Sequence, residues 1–524
     1  AVLRHRDATF AGRQAAAQRL GTVLAALPPG NRAADYRPLS TMLEDPLSCD
    51  LARLALDPVA GEVVDQFYLA ALGKASGAHR ISLITSLGFR HIVAATAPLE
   101  KLASDSDPAT ALAAIRALGE IPSAEADTAL KSATGGTSAT RAAARLRLAP
   151  RLADAVAHPA LAEIEADTTL PAASRQAAFR QLLERDPSTA ESRIEAALKG
   201  ADWSRKEVAL QAVTQSPTPA RIGLLARGLA AWDMPTQVAA IGILARTGTE
   251  TAVAPVLASA RSSTPEVRAA AIEGLGLLSG NKETVSVLLE AATAEGDVAK
   301  SARRSLARLN GPGVSAAILA TAESGRGPLR AAALESIAAR NLTEAMPLLL
   351  RCRTEADAAV RNAALSSLAE IAPASALADL LTWAQAAEDD TERTRSIRAV
   401  VNVIQREPES ATRAQPLHAA LEAAKPEAAE RLLAALPRLG GEANAACAAR
   451  LAKRSDAKLA AAAVAALSRW PDATALAALT GVVAEASVPT VRDAARSAAL
   501  QGLEKARDAW VPARSEALGR LLGA

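Results

Sequence analysis

The stretch at 264–276, TPEVRAAAIEGLG, sets Val267, Ala271 and Leu275 at i, i+4 and i+8, one face of a helix. Pro265 suits the first helical turn, where its missing N–H leaves no bond unmade, and Gly276 suits the end. The arrangement returns as GPLRAAALESIA at 327–338 and as AAVRNAALSSLAEI at 358–371. A common pattern follows: apolar or small at position 0, often Arg at +1, small or apolar at +4, apolar at +8. Position 0 falls near residues 12, 47, 79, 110, 140, 174, 205, 237, 267, 298, 329, 360, 394, 428, 459 and 491, with the poorest fits near 47, 237 and 394. That is sixteen units at a mean spacing of about 32 residues.

Between these helices lie shorter amphipathic runs, such as TAVAPVLASA at 251–260, TVSVLLEAA at 284–292 and EAMPLLLR at 344–351, each followed by a polar turn. Each unit therefore pairs two helices. One pair cannot bury its own apolar stripe, so stacked neighbours must supply the core. The expected fold is all-α: a right-handed α-solenoid of about sixteen helix-turn-helix units, forming one continuous array over 1–524. Residues 1–40 are expected to be an N-terminal capping unit and Pro-rich link, 41–490 the array, and 491–524 the C-terminal capping unit. The three prolines of LPPGNRAADYRPL at 27–39 predict an extended link, and ATGGTSA at 133–139 predicts a loop; the repeat register resumes after both.

Composition supports an array over a single large core. Hydrophobic residues make up 50% of the chain but aromatics only 2%, and Ala, Leu, Arg and Glu dominate. These are helix formers, and a large single core normally carries more Phe, Tyr and Trp. The net charge of +3 is spread evenly, without the single-sign block expected of a nucleic-acid funnel. Cys49, Cys352 and Cys447 sit in three distant units with no CxxC, which excludes a readable disulfide framework or zinc knuckle. No apolar run is long enough for a transmembrane helix. The chain begins at Ala1, which fits either a cleaved leader or a trimmed end.

The units DPATALAAIRALGEI at 107–121, PEVRAAAIEGLG and AAVRNAALSSLAEI resemble HEAT repeats, in particular the short bacterial type described as PBS-lyase-like. Residues 43–90 and 467–486 are similar to the ends of exported HEAT arrays of planctomycetes and verrucomicrobia. The resemblance implies a periplasmic or otherwise exported protein, with a cytoplasmic one as the alternative. Some such arrays accompany haem-binding or sugar-processing modules. It brings no catalytic residues, metal or cofactor.

Two columns of the repeat carry candidate chemistry. The +1 arginines are Arg13, Arg80, Arg141, Arg175, Arg268, Arg330, Arg361 and Arg492. In HEAT repeats this position is structural, so each is expected to reach an acidic or carbonyl group at a neighbouring turn; the alternative is a cation ladder for an acidic ligand. The +6 column is expected to face outward on the second helices, which line the concave side of HEAT solenoids. Arg53, Arg116 and Arg180 make its N-terminal half basic, and Arg304 follows further along. Arg is a favoured interface residue. Trp510 joins these as a partner-binding candidate because a terminal unit has only one neighbour to cover it. Trp203, Trp232, Trp383 and Trp470 are expected to fill gaps between helices. The histidines His5, His79, His91, His158 and His418 form no HExxH and no His–Glu pair. That argues against deoxyhypusine hydroxylase, a HEAT-type enzyme whose iron site needs such pairs.

The expected function is a non-enzymatic scaffold that binds a protein partner, or a copy of itself, on an extended helical surface. Three alternatives stand beside it: an accessory subunit of an exported redox or sugar-processing complex, a HEAT-type nucleic-acid binder related to DNA glycosylases, and a tetrapyrrole lyase-like protein. Even charge and few aromatics count against the nucleic-acid reading.

Overall fold

The structure, a computed structural model, describes residues 3, 8–26, 33–409, 412–505, 515 and 517–519. Among them are thirty-two α-helices and no strand, only an isolated bridge between Ser279 and Asn310. The chain forms two compact units, residues 1–224 and 225–524.

Within each unit, short first helices alternate with the second helices read from the repeat. Fifteen of the sixteen predicted positions lie inside a helix. The exception is Leu47, which precedes the Cys49–Leu56 helix and stands 94% exposed. There the buried face begins two residues later, at Cys49, Leu51, Ala52 and Ala55.

The expected extended link is corrected over its second half: Ala33–Leu43 is a helix with Pro38 inside it. Residues 27–32 lie outside the described residues. An internal proline costs a helix about 3 kcal/mol. Burial of Leu39, Met42 and Leu43, at about 1.5–3 kcal/mol each, more than offsets it.

Acidic caps start many second helices. The Asp107 carboxylate accepts from the backbone N–H groups of Ala109 and Thr110, with Pro108 in the first turn. Asp202, Asp233, Asp357, Asp389 and Asp456 cap their helices in the same way. Such caps satisfy otherwise orphaned donors and are each worth about 1 kcal/mol. The core is small residues at +4, such as Ala114, Ala178, Ala271 and Ala364, beneath leucines at +8, such as Leu118, Leu182, Leu275 and Leu368; all are buried. Small residues near the helix C-termini let consecutive second helices touch. The Ser367 hydroxyl donates to the Leu334 carbonyl of the preceding second helix at 2.7 Å.

Candidate partner-binding groove

The +1 arginines are largely engaged within the array. Arg80 donates Nε to the Ala75 carbonyl at 2.7 Å and lies 3.6 Å from Asp105 of the next turn. Arg141 donates to the carbonyls of Gly135 and Gly136, and Arg268 makes a longer bond to that of Ser262. Arg175 reaches the cap residue Asp202 at 2.8 Å. Arg330 joins the Ala322 carbonyl to Glu355, both at 2.9 Å. Arg361 donates to the carbonyls of Glu355 and Ala356 and to both oxygens of Glu392. Hydrogen bonds donated to Glu355 and Glu392 push the Arg330 and Arg361 guanidiniums above the usual range. Arg13 is half-buried and Arg492 is exposed near the chain's end.

A second set of arginines, absent from the sequence reading, closes the other end of the repeat. Arg90 donates to the carbonyls of Leu56 and Asp57, Arg185 to those of Ala149 and Leu152, and Arg340 to those of Leu306 and Leu309. Arg406 does the same for Ala369 and Ala372. These carbonyls lie at or just beyond the C-terminus of the preceding second helix, where i+4 backbone donors run out, and a cation there also complements the helix dipole. The signal lay in the sequence: Arg90, Arg185 and Arg340 all stand at +11.

The +6 column is less uniform than its pattern. Arg53 is drawn inward, donating Nε to Ser86 at 2.6 Å and Nη1 to Asp50 at 3.0 Å. Ile243 is buried. Arg116, Arg180 and Arg304 are exposed, and Arg304 donates to Ser301. Trp510 lies outside the described residues. Trp232, Trp383 and Trp470 are buried among helices, whereas Trp203 is exposed.

Arg116 belongs to a groove of about 740 Å³, formed by the Gly77–Phe89, Pro108–Leu118 and Ser138–Leu148 helices. Ile81, Leu112 and Ala113 give it an apolar lining, and Phe89, 64% exposed, stands beside them. Arg147 and Arg151 also line it and share Glu120, at 3.4 and 2.8 Å. Arg151 is further fixed by a 3.0 Å bond to the Arg147 carbonyl. Arg116 has no ion-pair partner among the described residues. The ring of His91, a residue in the left-handed region at φ 55°, donates to the Glu120 carbonyl at 2.7 Å. The groove thus combines three guanidiniums, one carboxylate and an exposed aromatic ring.

Among the described residues no three His, Cys, Asp or Glu side chains come together to hold a metal ion. No described helix is long and apolar enough to cross a membrane. His79 donates to the Leu43 carbonyl and His418 pairs with Asn444, so both are engaged inside the helical packing. His5 lies outside the described residues.

The family model described as HEAT repeats matches residues 66–149 and 223–307, and the chain carries HEAT repeats there. No curated protein matches the chain. Among solved structures it is similar to Kap121p, at 12% identity over 98% of this chain and 71% of that one, with a TM-score of 0.38. It is also similar to the Kap95:Nup1 complex, at 13% identity over 97% of this chain and 87% of that one, with a TM-score of 0.33. A third similarity is to importin beta, at 14% identity over 99% and 76% of the two chains, with a TM-score of 0.30.

Proposed function

We propose that this HEAT-repeat chain is a non-enzymatic scaffold that holds a protein partner on the exposed face of its second helices. The groove carries the reading. Phe89 is left largely exposed beside Arg116, which has no ion-pair partner among the described residues, and aromatic and Arg side chains are enriched at protein interfaces. Isolated exposed apolar residues need no explanation. Here the ring adjoins apolar side chains in a concave site, which is where anchoring contacts collect.

The test is purification of the native protein at low and high salt, followed by mass spectrometry and chemical cross-linking. The proposal expects a stoichiometric protein partner with cross-links on helices of residues 77–151. A chain that purifies alone and sediments as a monomer at both salt concentrations would contradict it.

A further inference from the structure

We propose that the groove takes an extended acidic segment of the partner, with one apolar side chain packed against Phe89 and Leu112. The inference rests on the scaffold reading and names the chemistry of the occupant. Three arginines face one glutamate, so the groove carries a net positive charge. Guanidiniums remain protonated at any ordinary pH and match carboxylates through two parallel bonds.

The three cations differ in how they are held. Glu120 ties Arg147 and Arg151 together, which limits the side-chain entropy lost when a ligand carboxylate meets their remaining donors. Arg116 has no ion-pair partner among the described residues, so of the three it is the charge left unmet. An acidic segment would meet Arg116 with one carboxylate and the Arg147–Arg151 pair with another. The apolar lining of the same groove calls for a side chain such as leucine.

A nucleic acid fits these features less well. The Glu120 carboxylate sits among the cations that a phosphodiester backbone would have to contact. A single-strand site also relies on successive aromatic rings, and this groove offers only Phe89 and the ring of His91, which is tied to the Glu120 carbonyl.

The experiment is fluorescence anisotropy of the full chain with a fluorescein-labelled peptide of aspartates and glutamates around a central leucine. Comparison peptides replace the leucine with serine, or the acidic residues with lysine. The proteins are wild type, Arg116→Glu, Arg147→Glu and, as an exposed arginine outside the groove, Arg353→Glu. We expect the leucine peptide to bind best and the lysine peptide not to bind. Arg116→Glu should weaken binding about tenfold, or about 1.4 kcal/mol, and Arg147→Glu should weaken it too, with Arg353→Glu unchanged. Circular dichroism should show all three variants folded, because all three side chains are exposed. Absence of binding, equal effects of Arg116→Glu and Arg353→Glu, or binding of a single-stranded oligonucleotide with the same Arg116 dependence would overturn the proposal. A cross-linked native partner combined with no peptide binding would reject the acidic occupant and leave the scaffold reading intact.

Discussion

A methyl carbon added to Gly88 would stand 2.7 Å from the Cα of Ala117. Two consecutive second helices therefore meet almost backbone to backbone at the floor of the groove. A helical glycine costs up to about 1 kcal/mol relative to alanine, and here the close approach explains its presence. Gly88→Ala should push these helices apart and destabilise the protein by about 1–3 kcal/mol. Gly481, inside the Ala475–Glu485 helix, has only the flexible end of Lys453 nearby, at 3.9 Å. Gly481→Ala should instead raise stability by about 0.5–1 kcal/mol. Thermal denaturation followed by circular dichroism would show the two shifts with opposite signs.

Arg361 and Glu392 define a second test, in residues 225–524. Glu392 is buried, takes two bonds from Arg361 and accepts a third from Trp383 Nε1 at 2.7 Å. Arg361→Ala would leave a buried carboxylate with the indole as its main remaining donor. We expect a loss of roughly 2–4 kcal/mol, toward the low end for a broken buried pair because the guanidinium is partly wet. Glu392→Gln keeps an acceptor for Trp383 and should cost less. Urea denaturation of the two variants measures the order; equal losses would contradict it.

Acid should weaken residues 1–224 more than 225–524. Among the described residues, Asp45, Asp107, Glu163, Asp167, Asp186 and Asp202 in the first unit are held below the usual carboxylate range, against Glu422 in the second. The main causes are side-chain donors: Ser188, with Thr189, lowers Asp186 to about 2, Thr110 lowers Asp107, Ser204 lowers Asp202 and Lys131 lowers Glu163. A carboxyl with a depressed folded pKa contributes stability above its unfolded value, about 4, and that stability is lost as pH falls through the folded value. Hydrogen exchange between about pH 5 and about pH 2.5, corrected for intrinsic rates, should show protection falling first in residues 1–224. Loss first in 225–524 would contradict this.

The three thiols should be inert in the folded protein. Burial pushes Cys49 up to about 12 and Cys447 up to about 11, and raises Cys352 as well. The thiolate is the reactive form, so at neutral pH iodoacetamide should label none of them rapidly until denaturant is added. Stoichiometric labelling of the native chain would refute this account of their burial.

Features confined to one unit were legible in the sequence. Val267, Ala271 and Leu275 share a helix face through simple spacing, and Asp107 ahead of Pro108 announces a capped start. The Arg175–Asp202 bond was accessible too, because both residues belong to recurring positions. Arg53 falls at +5 rather than +6, because the buried Ala52 and Leu56 occupy +4 and +8 only when the register of its unit starts one residue after Leu47, at Ser48. The Ala33–Leu43 helix was missed because tertiary burial overrides the local signal of Pro38. The groove was illegible for a different reason. Phe89, Arg116 and Arg147 occupy +10, +6 and +7 of three successive repeats, so no single column of the pattern contains the site. Only the way neighbouring helices stack brings them together.

Hydroxyl-radical footprinting of the protein alone and with its partner reports whether the partner covers the groove. Phe89 is a reactive ring that is well exposed in the free chain, and Trp203 and Met234 are exposed internal controls outside the groove. Partner binding should sharply lower oxidation of Phe89 and leave Trp203 and Met234 unchanged. Unchanged oxidation of Phe89 in a saturated complex would contradict the assignment of the groove as the partner-binding site.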